Sequence, residues 1–426
     1  MLITNATLAD GRVRDVRIRD GRIVTVGQHL SHESTEHDSE ETIREVDGNL
    51  LLPGMIDVHV HFREPGYPHK ETWTTGSKSA AAGGVTSVVD QPNTDPPTVA
   101  KTAFEEKLAL AQDSYVDFGL NGGVTSAWEP EALLQEPLFA LGEVFLADST
   151  GNMGIGTDLF ADAVERATER GVTVTVHAED ATQFEERAHD DADAWSAYRT
   201  PEAEATAVER ACEVAADCDA RIHIAHTSTP EGIDRANEAE MTCEVTPHHL
   251  FLSRDDLDEL GTLGRMNPPL RSEERREAVY ERVASGAVDM IATDHAPHTL
   301  SEKDATIWDA PSGVPGVETA LALLLEDARK GRLSYERVRD LTAANPARVF
   351  DLSRKGRIEA GRDADLVLVN PDASREIRGE ELHSKCGWTP FEGQKGVFPE
   401  WTMVRGQIVY ENGEFGEPVG KNVRES

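Results

Sequence analysis

The chain has little cysteine and no long apolar run. Its four cysteines, Cys212, Cys218, Cys243 and Cys386, include no CxxC pair among 426 residues. This spacing offers neither a disulfide framework nor a cysteine zinc site. No stretch reaches the roughly 18 apolar residues that a transmembrane helix needs. Together with the polar start MLITNATLADGR, these absences predict a reduced, cytoplasmic location.

Positive charge is also scarce. Lys and Arg total 42 against 78 Asp and Glu, which gives a formal net charge of −36, and only 10 of the 42 are Lys. A chain of this sign repels phosphate backbones and anionic lipids, so we expect neither a nucleic-acid nor a membrane partner. The acidic residues are spread evenly, which is typical of proteins from a salt-rich cytoplasm, where ions screen self-repulsion. An acidic interaction domain is the alternative, and it fits the even spread less well.

The length allows either two ordinary domains or one barrel of roughly 250 residues with an appended domain. The first 52 residues contain short β-like runs separated by Asp-Gly hairpin signals. The same β texture returns at 357–370 and 401–414. We therefore predict a small β-sandwich domain built from both chain ends, residues 1–52 and 350–426, around a barrel at 53–349.

The central part alternates between β-like and helix-like segments. The β-like segments are 55–62, 84–93, 116–124, 142–148, 172–180, 221–228, 242–250 and 288–298. The helix-like segments follow at about 71–82, 99–112, 129–136, 158–170, 203–216, 230–239, 273–285 and 317–330. Eight such units fit an α/β fold of the (β/α)8 TIM barrel type better than a doubly wound open sheet. In such barrels the chemistry lies at the C-terminal ends of the strands.

Histidines and carboxylates concentrate at four of these strand ends. His59 and His61 are two residues apart on the first strand, so both side chains point to the same face. The fifth strand ends in His177, the sixth carries His223 and His226, and the eighth ends in Asp294. One such pair often only satisfies hydrogen bonds, but four converging strand ends indicate a divalent metal. The lack of nearby cysteine favours an open, catalytic site of the zinc type.

Nine motifs carry a resemblance to a known family. They are DVHVHFREPG, QPNT, STGNMG, HAED, IAHTST, VTPHHL, RMNPPLR, ATDHAPHT and PSGVPGVET. Together they resemble the dihydroorotases, which are cyclic amidohydrolases, over the whole chain. The resemblance implies reversible cyclisation of N-carbamoyl-L-aspartate to L-dihydroorotate in pyrimidine biosynthesis. Allantoinases and hydantoinases share the scaffold but differ at FREPG, QPNT and NPPLR, and they are the nearest alternative. A non-catalytic scaffold relative, which would lack metal ligands, is the second alternative.

The resemblance also implies two zinc ions, or similar divalent ions. Their ligands would be His59, His61 and Asp294 for one ion, and His177 and His226 for the other. Many relatives bridge the ions with a carboxylated lysine on the fourth strand, where this chain has Glu143. Asp148, at the end of the same strand, is the alternative bridge. Strand alternation places Glu143 and Phe145 on one face and Asp148 on the other, so we favour Glu143.

The same resemblance implies the catalytic step. The two ions would share a hydroxide that attacks the ring carbonyl, and Asp294 would act as general acid and base. The alternative for Asp294 is a role as metal ligand only. Relatives are often homodimers, so we expect a homodimer. An association with aspartate transcarbamoylase cannot be read from the sequence.

Substrate-binding residues are implied as well. The candidates are His61, Arg63, Asn93, Asn267, His298, and the backbone of Ser312 and Gly313. Arg63, Asn93 and His298 would hold the substrate carboxylate, and Asn267 would meet the ring amide. A surface ion pair is the alternative for Arg63, and simple turn chemistry is the alternative for Asn267. A loop at 300–316 borders this site, and we expect it to cover the substrate.

Overall fold

The computed structural model describes residues 1–31, 41–147, 153–187 and 189–425. Within them, the N-terminal part forms β1 (Leu2–Leu8), β2 (Val13–Arg19), β3 (Arg22–Gly27), β4 (Ile43–Glu45) and β5 (Leu50–Pro53). Between β2 and β3, Asp20 and Gly21 have φ angles of 49° and 77°. An Asp-Gly pair tolerates this left-handed backbone, which is why it makes the tight hairpin expected here.

The next strands form a parallel barrel. They are β6 (Met55–Val60), β7 (Val85–Asp90), β8 (Asp117–Leu120), β9 (Leu141–Leu146), β10 (Val174–Ala178), β11 (Ile222–Ile224), β12 (Thr242–Val245) and β13 (Met290–Ile291). Hydrogen bonds between neighbouring strands join β6, β7 and β8 into one run of strands, and β9, β10, β11, β12 and β13 into a second run. Single bridges from Gly122 to Leu141 and from Val60 to His295 connect the two runs on both sides. Each predicted segment overlaps one strand, so the predicted barrel is confirmed.

Helices fill the connections. They are α1 (Trp73–Ala82), α2 (Lys101–Ala111), α3 (Pro130–Leu133), α4 (Thr157–Glu169), α5 (Ala194–Tyr198), α6 (Pro201–Asp217), α7 (Pro230–Glu238), α8 (Pro247–Phe251), α9 (Leu257–Leu260), α10 (Glu273–Ser285), α11 (Leu300–Lys303), α12 (Ala320–Arg329), α13 (Tyr335–Arg339) and α14 (Asn345–Val349). The eight predicted helical segments correspond to α1, α2, α3, α4, α6, α7, α10 and α12. Among the described residues, no helix has both the length and the apolar character needed to cross a bilayer.

One expectation was wrong in detail. The segment 300–316 does not begin as a loop, because its first residues form α11. Thr299 Oγ1 accepts from the Glu302 backbone N–H at 3.3 Å, and the Glu302 carboxylate accepts from the Thr299 N–H at 2.9 Å. This reciprocal capping box satisfies two otherwise unpaired donors and starts the helix. The remainder, from residue 304 to 316, is irregular apart from short turns.

The C-terminal strands return to the N-terminal ones. They are β14 (Leu366–Glu376), β15 (Lys395–Val404), β16 (Gln407–Glu411) and β17 (Glu414–Phe415). The described strands of both chain ends form one sheet in the order β17, β16, β15, β14, β5, β1, β2, β3, and β4 pairs with β1. The pairing is antiparallel except where β1 meets β4 and β5. A small β-domain built from both ends is therefore confirmed, while its bounds at residues 52 and 349 stay a prediction.

Strand alternation explains how this sheet attaches to the barrel. On β5 and β14, Leu51, Leu366 and Leu368 belong to the core of the β-domain. The intervening Val367 and Val369 belong to the barrel core. Because successive side chains point to opposite faces, one apolar strand can serve both cores. The sheet is thus fixed to the barrel without a separate linker.

Candidate active site

The polar side chains lie where the barrel strands end. Arg63, His226 and Asp294 have φ angles of 67°, 34° and 46°, in the left-handed region. Residues other than glycine rarely adopt this backbone, which costs on the order of 1–3 kcal/mol and is concentrated at functional sites. These turns also explain why the strands are shorter than predicted: β13 ends at Ile291, before the chain turns at Asp294.

The strand ends surround an open cavity. It is lined by His61, Arg63, Asn93, Glu143, Phe145, His177, His226, Asn267, Asp294, Ala296, Ser312 and Gly313. Two predicted site residues are not in this lining. His59 lies 3.5 Å from Glu143, and His298 lies 3.1 Å from Arg63, so both touch the residues that line the cavity. Asp148, the alternative bridging residue, lies outside the described residues.

The first group of possible metal ligands is His59, His61 and Asp294. Their donor atoms all lie within 4.8 Å of one another. Asp294 Oδ1 is 2.9 Å from His61 Nε2 and 3.6 Å from His59 Nε2. His59 stands on β6, His61 follows the end of β6, and Asp294 lies in the turn after β13. The spacing of His59 and His61 on one face is as predicted.

Glu143 faces two pairs of histidines at once. Its Oε1 lies 3.5 Å from His59 Nε2 and 3.7 Å from His61 Nε2. Its Oε2 lies 2.9 Å from His226 Nε2 and 3.5 Å from His177 Nδ1. A carboxylate whose two oxygens point to different sets of imidazoles has the arrangement needed to bridge two cations.

The donor set fits a divalent metal. His59 is 2% exposed, and its Nε2 has no hydrogen-bond partner among the described residues although two carboxylates lie nearby. Buried polar atoms are rarely left without a partner. A cation bound by the imidazole nitrogen and by the nearby carboxylate oxygens would supply that partner. Burial favours the neutral acid, yet the charge on His59 and hydrogen bonds from His177 and His226 hold the pKa of Glu143 well below its usual range. The ionised carboxylate is the form that binds metal.

Glu244 orients His59 and was missed by the sequence analysis. Its Oε1 lies 2.7 Å from His59 Nδ1, and its Oε2 lies 3.0 Å from His223 Nε2. A carboxylate only accepts, so His59 Nδ1 carries a hydrogen that it donates to Glu244. When Nε2 gives up its own proton to a metal ion, its lone pair is directed toward the side of Asp294 and Glu143. Although burial opposes it, hydrogen bonds from His223 and His59 lower the pKa of Glu244 to about 2. A glutamate inside the apolar strand TCEV was the sequence signal.

Two further contacts position His177 and Glu143. Glu179 Oε2 lies 3.3 Å from His177 Nε2, and the same carboxylate pairs with Arg199. The backbone N–H of Glu143 donates to Gln91 Oε1 at 2.7 Å, which ties β9 to the end of β7. Glu143 is therefore held through its backbone N–H, and the imidazole of His177 lies against a carboxylate that is paired with Arg199. Such support gives a metal site its fixed geometry.

A cluster of cations lies beside the ligands. Arg63 is half-buried, and its Nη2 is 3.1 Å from His298 Nε2. Lys70, which the sequence analysis missed, is 3.1 Å from His298 Nδ1 and 3.1 Å from Glu302 Oε1. Burial, and then the charges of Arg63 and Lys70, hold the pKa of His298 well below its usual range. Lys70 at Nδ1 and Arg63 at Nε2 can both only donate, and a neutral ring can accept from only one of them. Ser312 O lies 2.9 Å from Nε2 and can only accept, so the tautomer with the hydrogen on Nε2 satisfies both Lys70 and Ser312 O.

Two loops complete the cavity. Asn267 Oδ1 accepts from the indole Nε1 of Trp195 at 3.0 Å. The Gly313 N–H donates to Arg265 O at 3.0 Å, so this backbone group is already used within the protein. Gly313 has a φ of 130°, and a Cβ there would lie 2.6 Å from Ala296 O. Only glycine fits at this point of the loop.

Buried Lys303 ties these loops together. Its Nζ donates to the carbonyl oxygens of Thr262, Arg265 and Pro311 at 3.3, 3.0 and 2.9 Å. The ammonium also lies 5.7 Å from the centre of the Trp388 ring. Burial lowers the pKa of Lys303 well below its usual range. The sequence around it contains no signal for this role.

Comparisons with known proteins agree with this geometry. The model of the amidohydrolase family matches residues 50–409. The chain is 64% identical over 430 aligned positions to the dihydroorotase of Halobacterium salinarum, and the match covers both chains completely. It is 43% identical to the dihydroorotase of Methanosarcina acetivorans, over 97% of this chain and 94% of that one. The structure of an L-hydantoinase (dihydropyrimidinase) from Arthrobacter aurescens superposes with a TM-score of 0.92 at 27% identity, over 99% of this chain and 98% of that chain.

Proposed function

The chain belongs to the amidohydrolase family, and we propose that within this family it catalyses the dihydroorotase reaction. This reaction interconverts N-carbamoyl-L-aspartate and L-dihydroorotate by closing or opening a cyclic amide. One observation carries the proposal beyond the family: a candidate metal centre and the guanidinium of Arg63 line the same cavity. A substrate with both an amide and a carboxylate matches this pairing. Hydantoin and allantoin have no carboxylate for Arg63 to bind.

We propose that two divalent ions of the zinc type bind here. His59, His61 and Asp294 would hold one, His177 and His226 would hold the other, and Glu143 would bridge them. When bound, such ions supply a water-derived nucleophile at neutral pH and polarise the amide carbonyl. The position of the two Glu143 oxygens between the histidine pairs supports this assignment.

Asp294 is proposed to move the proton. In ring opening its carboxylate accepts a proton from the attacking water and delivers it to the ring nitrogen that leaves. Despite burial, the hydrogen bond from His61 and the charge of His59 keep the pKa of Asp294 below its usual range, so the accepting form predominates at neutral pH. Ring closure runs the same transfer in reverse. A role as ligand only is the alternative for Asp294.

The remaining residues would hold the substrate. Arg63 offers a planar fork to the carboxylate, and His298 lies beside it. Asn93 Oδ1 lies 2.7 Å from His61 Nδ1, which leaves the amide Nδ2 as a donor for the same carboxylate. Asn267 would meet the ring amide. The backbone of Ser312 and Gly313 would face the edge of the ring.

Substrate comparison tests the proposal. Purified protein in molar KCl would be supplied with zinc and assayed on dihydroorotate, N-carbamoyl-L-aspartate, hydantoin and allantoin. We expect turnover of the first two only. Opening of hydantoin or allantoin without any action on dihydroorotate would contradict the proposal. Well under one bound metal ion per chain, with no activity after zinc is added, would instead support a non-catalytic scaffold.

Several expectations from the sequence stay predictions. They are the zinc identity of the ions, a homodimer, a cytoplasmic location and the covering role of residues 304–316. We also propose that the charge of −36 adapts the chain to high salt. Screening shortens the reach of surface charges to roughly 3 Å at 1 M, so the acidic body then no longer repels an anionic substrate, while contacts in the pocket survive.

A further inference from the structure

We propose that Gln91 is a positioning residue that holds the backbone of Glu143, so that the Glu143 carboxylate lies between the two pairs of histidines. The inference rests on the proposed function, because it concerns the binding of the two metal ions. Gln91 is 2% exposed and does not line the cavity. It therefore acts through Glu143 and touches neither the substrate nor the ions.

A β-bulge lies at Glu143. The pairing of β9 with β10 shifts by one residue there, so that Gly142 and Glu143 together oppose Thr175 alone. A bulge leaves one residue outside the regular ladder and redirects its side chain, and bulges are frequent next to active sites. Gly142 has a φ of 146°, and a Cβ there would collide with Thr175 Oγ1, so only glycine fits. The bulge is thus built into the strand that directs Glu143 into the cavity.

Gln91 accepts the backbone N–H of the bulged residue. Glu143 N–H donates to Gln91 Oε1 at 2.7 Å, and is thus bound by a side chain instead of a neighbouring strand. The same oxygen accepts from Asn121 Nδ2 at 3.0 Å, and Gln91 Nε2 donates to Val58 O at 3.2 Å. A backbone N–H only donates and a backbone carbonyl only accepts, so these partners fix which way the Gln91 amide points.

Gln91 is itself held in place. Its backbone N–H donates to Val60 O at 2.9 Å, which continues the pairing of β6 with β7. Its carbonyl oxygen accepts from the ammonium of Lys107, which also pairs with Asp90. Lys107 and Asp90 are both fully buried. Because the main chain of Gln91 is bound on both sides, its amide is a firm support for Glu143.

The position of Glu143 matters because one carboxylate serves both histidine pairs. Its Oε1 lies 3.5 Å from His59 Nε2, and its Oε2 lies 2.9 Å from His226 Nε2. Metal–ligand distances vary by only about 0.2 Å, so the two ions constrain the same side chain closely. Pairing of β9 without the bulge would shift part of the strand by one residue, and such a shift turns side chains to the opposite face. By accepting the N–H in the bulged register, Gln91 favours the arrangement that the ions require.

Gln91→Met tests this support. Methionine fills a similar volume but offers no comparable acceptor to the Glu143 N–H. A buried donor without an acceptor costs a factor of about ten or more, so we expect relaxed arrangements to outnumber the aligned one by about tenfold in the metal-free protein. Because the pair of ions binds the aligned form, its affinity should fall about tenfold, as measured by competition with a chelator for zinc. At saturating zinc, KM for dihydroorotate should stay near the wild-type value.

Thr402→Val is the matched control. Thr402 is fully buried, its Oγ1 donates to Ala81 O at 2.7 Å, and it does not line the cavity. Both variants lose a buried hydrogen bond, so both should lower the unfolding temperature of the metal-free protein. Only Gln91→Met should lower the affinity for zinc. A wild-type zinc affinity in Gln91→Met, or an equal loss of affinity in Thr402→Val, would overturn the inference.

Gln91→Glu shows whether the acceptor is the group that matters. Burial favours the neutral acid, which resembles the amide because one oxygen accepts from Glu143 while the O–H donates to Val58 O. We expect this variant to keep at least about a third of the wild-type zinc affinity. A loss as large as that of Gln91→Met would overturn the inference.

Hydrogen exchange in the metal-free wild type tests the bond without any substitution. The Glu143 amide should exchange as slowly as the amides of the central barrel strands, because it is buried and bonded. Exchange at the rate of an exposed loop amide would overturn the inference even if Gln91→Met does not fold. A wild type that binds no zinc although this amide is protected would refute the metal site of the proposed function and the inference with it, whereas the outcomes above overturn the inference alone.

Discussion

The metal half and the substrate half of the cavity are held in different ways. The metal half is the set of proposed metal ligands, His59, His61, Glu143, His177, His226 and Asp294, and the substrate half is the set of proposed substrate contacts, Arg63, Asn93, Asn267, His298, Ser312 and Gly313. Side chains of the metal half stand on strands or immediately after them, and buried groups such as Glu244 orient them. The substrate half lies mainly on loops, which are fixed by residues from elsewhere in the chain: Trp195 on α5 donates to Asn267, and Lys70 contacts His298. In the proposed function the barrel strands would provide the chemistry, and the loops would set which substrate meets it.

Replacing Arg63 should separate the two halves most clearly. Arg63→Met removes the guanidinium fork for the substrate carboxylate, so we expect kcat/KM for dihydroorotate to fall about 100-fold, mainly through KM. Metal content should not change, because Arg63 is not among the candidate ligands. Steady-state kinetics and metal analysis check both points. Arg63→Lys, which keeps the charge but not the fork, should lie between the wild type and Arg63→Met. Loss of metal in Arg63→Met would show that the halves are not independent.

Replacing Glu244 probes the metal half alone. Glu244→Gln keeps the shape but removes the charge that orients His59, so we expect metal affinity to fall about tenfold or more while KM at saturating metal stays near the wild-type value. Competition with a chelator measures the affinity. Glu326→Gln is a suitable control, since that carboxylate pairs with Arg329 and does not line the cavity. A change in KM without a change in metal affinity would contradict this assignment.

Replacing Lys70 probes the substrate half alone. Lys70→Met removes the donor that sets the His298 tautomer, so we expect KM to rise about fivefold at neutral pH. Removing this charge also raises the pKa of His298 from its lowered value, although burial and Arg63 still oppose protonation. A protonated His298 attracts the substrate carboxylate, so the ratio of KM in Lys70→Met to KM in the wild type should fall as the pH is lowered from about 8 to about 6. A ratio independent of pH would indicate that Lys70 acts only through packing.

Salt should have the smallest effect and should act on approach to the cavity. The net charge of −36 opposes an anionic substrate, and this long-range repulsion is screened as KCl increases. We expect kcat/KM to hold or rise by about twofold between dilute buffer and molar KCl. Rate measurements across that range check it. A best rate in dilute buffer, with inactivation in molar KCl, would contradict adaptation to salt and leave the catalytic assignment untouched.

The two halves also differ in how far the sequence predicts them. Histidines at several strand ends indicate one site, because the barrel brings those ends to a single rim. The resemblance implies a bridging carboxylate on the fourth strand, and strand alternation favours Glu143 over Asp148 for that role. The groups that orient these side chains lie far away in sequence. Glu244 is 185 residues from His59, and Trp195 is 72 residues from Asn267. No local pattern links such pairs, because the tertiary packing of distant strands, helices and loops brings them together. The capping box that turns the start of 300–316 into α11 is local and could have been read from Thr299 and Glu302.

Metal content of Glu143→Gln tests the central claim most directly. The amide retains the size of the side chain but cannot bridge two cations as a carboxylate does. Metal ions per chain would be counted, and turnover of dihydroorotate measured, for the wild type, Glu143→Gln and Asp148→Asn, all purified in molar KCl. We predict about two ions per chain in the wild type and in Asp148→Asn, with the pair lost and turnover reduced about 1,000-fold in Glu143→Gln. An intact pair of ions and a near wild-type rate in Glu143→Gln would contradict the account.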